Sequence, residues 1–232
     1  MRFVILILLQ IPIICWAQTW SNSGKPAQLI QLFTSQGCSS CPPADQYLSS
    51  FASEPRLWLD KIPAAYHVDY WDYIGWKDRY AQPAFTQKQR LFHSYGVLSS
   101  VYTPSFVVDG MEWRGFFYRR SKQLPAREVN SAGKLTLTLD GSSYRLSYEG
   151  SKEYIATLVF LALDEKTEVN KGENQGRVLS HDFVVIQEQQ RQGKQQWQFS
   201  NSTDNRIDAV AAWIRRPTEF KPTQTVAGMI NF

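Results

Sequence analysis

The sequence of 232 residues is poor in cysteine and in histidine, with three residues of each kind. So few cysteines exclude a protein whose fold depends on a framework of disulfides. The chain also lacks a large excess of charge of one sign, because its formal net charge is only +4 at pH 7. That small excess argues against a protein built around nucleic acid. A hydrophobic content of 43% with 14% aromatic residues excludes a disordered chain and is sufficient for one large core or two modest ones.

A hydrophobic run of 13 residues lies near the N-terminus, from Phe3 to Cys15. It is shorter than the ~20 residues that a membrane-spanning helix requires. A basic residue precedes the run, and Cys15-Trp16-Ala17 at its end has small residues at the first and third positions. This pattern predicts a signal peptide over residues 1–17 with cleavage after Ala17. We therefore expect an exported protein with no stable membrane span after cleavage; an uncleaved anchor is the alternative.

Cleavage after Ala17 leaves two cysteines, Cys38 and Cys41, which form a C-x-x-C motif. Pro42 follows directly, and the apolar periodicity that begins at Ala44 predicts an amphipathic helix. The positive end of a helix favours a thiolate, and thiolates attack disulfides whereas thiols do not. One cysteine of such a pair forms a mixed disulfide with a substrate, and the other cysteine resolves it.

Two sequence patterns divide the chain. Residues 26–132 alternate strand-like and helix-like segments in the order β-α-β-α-β-β-α, with a hairpin turn signal at Asp109-Gly110 and a last helix at 119–132. Residues 133–232 show the period-two alternation of strands and predict a small all-β, sandwich-like module. We therefore expect a mixed α/β domain at 26–132 and a smaller β-rich domain at 133–232.

Several blocks of the sequence together resemble one secreted, thioredoxin-like bacterial family of unknown function. The blocks are FTSQGCSSCPPAD at 33–45, HVDYWDYIGWKDR at 67–79, PAFTQKQR at 83–90, VYTPSFVVDG at 101–110 and GENQGRVLSH at 172–181. The resemblance covers nearly all of the mature chain. It implies a thioredoxin-like domain with a β extension, located in the periplasm or secreted, and it implies no established substrate.

The wider thioredoxin superfamily implies roles for three residues. Cys38 is the expected nucleophile, Cys41 resolves the mixed disulfide, and a cis peptide bond before Pro104 exposes a backbone edge for the substrate chain. Thioredoxins also carry a buried aspartate in the strand before the cysteines. The corresponding segment here, Leu29–Thr34, has no carboxylate, so an acid–base group must come from elsewhere.

The best candidates for that group are His67 and Asp69, which follow the second predicted strand. His67 is suited to assist proton transfer or to stabilise a thiolate, and Asp69 is suited to deprotonate Cys41. The alternative for both is a purely structural role, as a hydrogen-bonded histidine and a capping carboxylate. The neighbouring charged residues 77–79 are interpreted as a solvated face.

The predicted function is therefore thiol–disulfide exchange on protein thiols, together with a redox partner protein and without an organic cofactor or nucleic acid. Ser39 and Ser40 supply no charge that favours an oxidant over a reductant. One alternative is an envelope copper carrier that uses Cys38, Cys41 and His67, because soft thiolates suit Cu(I). Another is a binding module in which the disulfide is only structural.

Overall fold

The structure is a computed structural model that describes residues 17–118, 122–126 and 129–231. Residues 1–16, which make up nearly all of the predicted signal peptide, lie outside the described residues. Strands account for 41% and helices for 14% of the structure. Within the described ranges, no helix is both long enough and apolar enough to cross a membrane.

Fourteen strands and two α-helices make up the regular structure of the described residues. The strands are β1 (Gln18–Asn22), β2 (Gln28–Thr34), β3 (Lys61–His67), β4 (Ser105–Val108), β5 (Met111–Trp113), β6 (Leu135–Asp140), β7 (Ser143–Tyr148), β8 (Tyr154–Ala162), β9 (Glu165–Glu168), β10 (Val178–His181), β11 (Val184–Gly193), β12 (Gln196–Ser200), β13 (Ala209–Arg215) and β14 (Pro222–Met229). The α-helices are α1 (Pro42–Ser49) and α2 (Pro83–Ser94). Short 3-10 helices lie at Ser50–Ser53, Asp72–Ile74 and Gly115–Phe117.

The largest sheet has eight strands in the order β14-β13-β8-β11-β3-β2-β4-β5. β2 and β3 pair in parallel, and β11 joins the other edge of β3 in parallel through Val184 and Ala65. The remaining neighbours in this sheet are antiparallel. A second, antiparallel sheet has the order β1-β6-β7-β12, and β9 and β10 form a two-stranded hairpin.

The predicted fold class, an α/β thioredoxin-like domain followed by a smaller all-β module, is wrong. The chain is mostly β-sheet, and β8, β11, β13 and β14 extend the sheet to which β2 to β5 belong. The physical reason is that the backbone groups of a buried strand need hydrogen-bond partners along both edges. β3 pairs with β2 on one side and with β11 on the other, so the later strands continue the same sheet and do not form a separate module. The division into domains at 26–132 and 133–232 stays a prediction, and the eight-stranded sheet crosses it.

Strand β8 shows how the cores are arranged, because all but one of its nine residues are buried. Successive side chains of a strand point to opposite faces of a sheet. Leu158 and Phe160 accordingly belong to the core that faces the four-stranded sheet. Val159 and Leu161 belong to the core on the other face, which also contains Phe85 of α2. The eight-stranded sheet is therefore covered on both sides.

Helix α1 begins at Pro42, whose fixed φ suits the first helical position and whose missing N–H would be unpaired there anyway. Ala44 and Leu48 of α1 pack against Ile30 and Leu32 of β2. The β2–α1 connection therefore places the cysteines where β2 ends and α1 begins.

The helix predicted over 119–132 does not form in the described part of that segment, residues 122–126 and 129–132. Pro125 cannot donate a backbone hydrogen bond inside a helix. Its carbonyl oxygen instead accepts a hydrogen bond from Gln28 Nε2 at 3.1 Å.

Candidate functional site

Cys38 and Cys41 form a disulfide at the start of α1, with their Cα atoms 5.4 Å apart. Cys41 occupies the N-cap position, and its carbonyl oxygen accepts hydrogen bonds from Ala44 N at 2.8 Å and Asp45 N at 3.1 Å. Cys38 is 1% exposed and Cys41 is 0% exposed. In this disulfide form the expected nucleophile, Cys38, does not stand out from its partner by exposure.

The segment that contains Pro104 lies beside Cys38. The Thr103-Pro104 peptide bond is cis, and Cys38 Sγ lies 3.8 Å from the carbonyl oxygen of Thr103. Trp71 Nε1 donates a hydrogen bond to Thr103 Oγ1 at 2.8 Å. Gln89 Nε2 of α2 donates a hydrogen bond to the carbonyl oxygen of Tyr102 at 2.7 Å. This segment is therefore held in place from two other elements.

His67 is completely buried at the end of β3 and contacts Asp78, not a cysteine. His67 Nδ1 and Asp78 Oδ2 are 2.7 Å apart. The same oxygen of Asp78 accepts a hydrogen bond from Gln36 N at 2.8 Å, two residues before Cys38. The interpretation of residues 77–79 as a solvated face is wrong for Asp78, because this residue is 2% exposed. Asp78 instead links His67 to the backbone that leads into the cysteine loop.

Asp69 is tied to α2. Its carboxylate accepts a hydrogen bond from Thr86 Oγ1 at 2.5 Å, and its backbone N–H donates to the same hydroxyl at 3.2 Å. This contact matches the structural alternative for Asp69, since it joins the end of β3 to the first turns of α2.

Two buried titratable residues that the sequence did not single out meet on the buried side of α1: Asp45 belongs to α1, and His181 belongs to β10. Asp45 Oδ2 accepts a hydrogen bond from Thr34 Oγ1 at 3.1 Å and lies 3.9 Å from His181 Nδ1. His181 Nε2 lies 3.3 Å from Gln36 Nε2, and its ring centre is 4.9 Å from that of His67. Asp45 lies beside Ala44 on the buried side of α1. An acidic residue on the predicted apolar face of this helix was therefore the sequence feature that could have identified it.

The electrostatics of this buried cluster of Asp45, His67, Asp78 and His181 follow from burial and from mutual charge. Burial raises the pKa of Asp45 to about 7, although the nearby His67 opposes the rise. Burial lowers the pKa of His181 to about 3, and the charge of His67 adds to that lowering. Burial also disfavours charge on His67 and Asp78, but their attraction outweighs it, so the pKa of His67 is raised and that of Asp78 is lowered. These shifts favour the charged forms of His67 and Asp78 and the neutral forms of Asp45 and His181.

A small cavity of about 80 Å³ reaches this cluster from the side of α1. Pro42 and Gln46 of α1 line it together with Asp45, and residues 178–181 of β10 line the opposite side. Asp45 Oδ1 and His181 Nδ1 have no hydrogen-bond partner among the described residues. The buried carboxyl group and the imidazole thus share a polar space one helical turn from the cysteines.

The loop between β9 and β10 contacts the cysteine loop directly. Asn174 Nδ2 donates hydrogen bonds to the carbonyl oxygens of Gln36 at 2.9 Å and Cys38 at 3.0 Å. Glu173 Oε2 accepts a hydrogen bond from Ser39 N at 3.0 Å. The sequence identified residues 172–176 only as a loop, and its membership of the GENQGRVLSH block was the single hint of a wider role.

The copper alternative requires Cys38, Cys41 and His67 to converge on one ion. Among the residues that the structure describes, no group of three or more His, Cys, Asp and Glu side chains is placed to hold a metal ion. The three proposed copper ligands are therefore not assembled as a site in the disulfide form.

Comparisons with known proteins give a family and a fold. A family profile described as "Protein of unknown function (DUF1223)" matches residues 29–215. No functionally curated protein matches the chain. The chain is similar to the X-ray structure of protein AGR_C_4864 from Agrobacterium tumefaciens, with a TM-score of 0.61, 21% identity, and coverage of 88% of this chain and 94% of that chain. It is also similar to HBP35 of Porphyromonas gingivalis, with a TM-score of 0.56, 11% identity, and coverage of 89% of this chain and 76% of that chain. Likeness at such low identity shows the fold alone.

Proposed function

This chain belongs to the DUF1223 family, whose function is unknown, and we propose that it exchanges disulfides with protein thiols through Cys38 and Cys41. The observation that carries this proposal is the position of the pair. The disulfide lies at the first turn of α1, and Cys38 Sγ faces the carbonyl oxygen of Thr103 at 3.8 Å. A thiolate formed at a helix start is stabilised by the unpaired backbone N–H groups and by the helix dipole.

The exchange starts from the disulfide form. A substrate thiolate attacks Cys38 Sγ, the Cys38–Cys41 bond breaks, and Cys41 leaves as a thiolate that takes up a proton. A second substrate thiolate then attacks the substrate sulfur of the mixed disulfide and releases Cys38 as a thiolate. The substrate dithiol loses two electrons and becomes a disulfide, and the cysteine pair gains them. The reverse sequence reduces a substrate disulfide.

The residues around the pair support this chemistry in different ways. His67 acts through Asp78, which holds Gln36 N at 2.8 Å and so fixes the entry to the cysteine loop. The part of Asp69 in proton transfer stays a prediction, and the hydrogen bond from Thr86 to its carboxylate supports a structural role beside it. A distant relation to the thioredoxin superfamily belongs to the same proposal, supported by the C-x-x-C motif at a helix start.

The proposed setting is the periplasm or the space outside the cell. It is supported by the predicted signal peptide. The proposed partners are polypeptides that carry thiols or disulfides and a redox protein that restores the cysteine pair.

One observation favours a second candidate, a structural disulfide on a binding module. Both cysteines are almost completely buried, and an attacking thiolate must reach Cys38 Sγ. The two candidates differ in the reduction potential that they require. Exchange proteins lie between about −270 and −120 mV, whereas structural disulfides lie below about −300 mV.

The deciding experiment is an equilibrium titration of the purified protein with glutathione, followed by alkylation and mass measurement. We expect a potential within the range of exchange proteins, together with turnover in insulin-reduction or dithiol-oxidation assays. The Cys38→Ser variant should lose turnover, and the Ser151→Ala variant, at an exposed serine outside the cysteine loop, should retain it. A potential below about −300 mV would assign the disulfide to the structural role.

A further inference from the structure

The loop that joins β9 to β10 is compact and well defined by its own backbone. Gly172 and Gly176 stand at its two ends with φ of 76° and 81°, a conformation that glycine adopts without steric cost. Gln175 N donates a hydrogen bond to the carbonyl oxygen of Gly172 at 3.1 Å, and Gly176 N donates to that of Val169 at 2.8 Å. The loop therefore presents Glu173 and Asn174 at fixed positions.

Asn174 fixes the backbone on both sides of Gly37. Its side chain is completely buried, and its amide nitrogen donates to the carbonyl oxygens of Gln36 and Cys38. Its Oδ1 accepts a hydrogen bond from Arg177 Nη1 at 3.0 Å, which orients the amide group. Because one buried amide group bonds both carbonyl oxygens, it restrains the backbone at Gln36 and at Cys38 together.

Glu173 adds a charge to this contact. Its carboxylate accepts the N–H of Ser39 at 3.0 Å, and Ser39 N is bonded to the carbonyl carbon of Cys38. The hydrogen bonds from Ser39 lower the pKa of Glu173, so the group is ionised at neutral pH. A negative charge close to a group that must itself become negative disfavours its ionisation.

We propose that Asn174 and Glu173 are positioning residues of the cysteine pair: Asn174 fixes the Cys38 backbone, and Glu173 opposes the Cys38 thiolate and so makes the pair less oxidising. The proposal rests on the proposed exchange function for its biological meaning. Destabilising the thiolate destabilises the reduced form, and a less stable reduced form has a lower reduction potential.

The test uses the full mature chain with Glu173→Gln, which keeps an oxygen to accept the Ser39 hydrogen bond and removes the charge. Glu168→Gln, on the exposed side of β9 in the same hairpin, makes the same change of net charge and is the matched control. In chemically reduced protein, the pKa of the Cys38 thiol, taken from the pH dependence of alkylation, should fall in Glu173→Gln and stay unchanged in Glu168→Gln.

The equilibrium with glutathione should shift toward the reduced pair in Glu173→Gln. We expect about threefold to tenfold in the equilibrium constant, because the carboxylate is exposed and partly screened, and this corresponds to about 15 to 30 mV. At 1 M salt the difference from wild type should shrink, since the screening length falls to about 3 Å. A purely structural role of Glu173 would not depend on salt in this way.

An alkylation profile of Glu173→Gln identical to wild type at low salt would overturn the assignment of Glu173. Alkylation of reduced protein does not require exchange activity. A shifted profile in a protein that never exchanges with substrates would therefore overturn the proposed function and leave the assignment standing.

A separate measurement, amide hydrogen exchange, tests the role of Asn174. Asn174→Ala should speed amide hydrogen exchange at residues 38–41, whereas Gln175→Ala in the same loop should not. Unchanged exchange in folded Asn174→Ala would overturn the role of Asn174. If Asn174→Ala does not fold, Asn174→Ser, which keeps a shorter hydrogen-bonding group, takes its place with the same criterion.

Discussion

The core between the two large sheets and the buried region at α1 differ in the kinds of side chain that they contain. The first is apolar, with Leu146, Phe160 and Ile214 among its members. Its buried polar atoms Tyr144 Oη and Trp197 Nε1 have no hydrogen-bond partner within the described part of the chain. The second holds four titratable side chains, Asp45, His67, Asp78 and His181. Burying charge costs stability unless every group is paired. The apolar core thus stabilises the fold, whereas the titratable cluster lowers the stability beside the cysteines. Strongly shifted pKa values of this kind are concentrated at the functional sites of proteins.

The largest effect is expected from breaking the apolar core. Phe160→Ala removes a fully buried ring and leaves a cavity, so the free energy of unfolding should fall by about 3–5 kcal/mol. Denaturant unfolding followed by tryptophan fluorescence measures this loss, and Phe160→Leu should cost less. The reduction potential of the cysteine pair in the folded fraction should stay unchanged. A potential that changes together with stability would show that the apolar core and the cysteine site are not independent.

The next effect comes from the titratable cluster and depends on pH. Asp45 has a pKa of about 7 in the folded state against 3.8 in the unfolded state, so this group lowers stability progressively as pH rises from about 4 to 7. Asp45→Asn keeps the shape and removes the penalty. At pH 8 it should be more stable than wild type by up to roughly 4 kcal/mol, and at pH 4 the two should be nearly equal. Unfolding curves at both pH values measure the difference.

His181→Gln is the matched variant with the opposite sign. The pKa of His181 is about 3 in the folded state against 6.5 unfolded, so its contribution is lost as pH falls from about 6.5 toward 3. The variant should therefore resist acid better than wild type. Stability curves of Asp45→Asn and His181→Gln that run parallel to wild type across pH 4 to 8 would mean that neither group is buried in the way described.

The smallest effect is expected at the edge of the site. Trp71→Phe removes the hydrogen bond to Thr103 Oγ1 and should cost only about 0.5–1.5 kcal/mol of stability. Because Thr103 O faces Cys38 Sγ, the rate of exchange with a peptide disulfide should fall by about threefold to tenfold through poorer positioning. Thr103→Ser, which keeps the hydroxyl group, is the control. An unchanged rate would remove Trp71 from the site.

Local features of this fold could be predicted from the sequence. The start of α1 follows from Pro42, and the β4–β5 hairpin follows from Asp109-Gly110, because both depend on neighbouring residues alone. The order of strands in the eight-stranded sheet could not be predicted. β3 meets β11 through Ala65 and Val184, and no local pattern specifies which distant strand fills an open edge.

The same distinction between local patterns and long-range contacts applies to the candidate site. Cys38, Cys41 and the Thr103-Pro104 segment could be singled out as candidates from the sequence because they are short motifs. Asp78 was missed because it stands between two basic residues, where a carboxylate normally faces water. Its burial depends on contacts with Gln36 and His67 that only the folded chain supplies.

The contact between Asn174 and Cys38 also determines when, during synthesis of the chain, the cysteine loop can reach its final structure. The two residues are 136 positions apart in the chain. At a synthesis rate of about 5–20 residues per second, roughly 7 to 30 s pass between the appearance of the cysteines and that of the loop at 172–176. During that interval the carbonyl groups of Gln36 and Cys38 lack their partner Asn174, and Ser39 N lacks its partner Glu173. The cysteine loop therefore reaches its final surroundings only after most of the chain has been made.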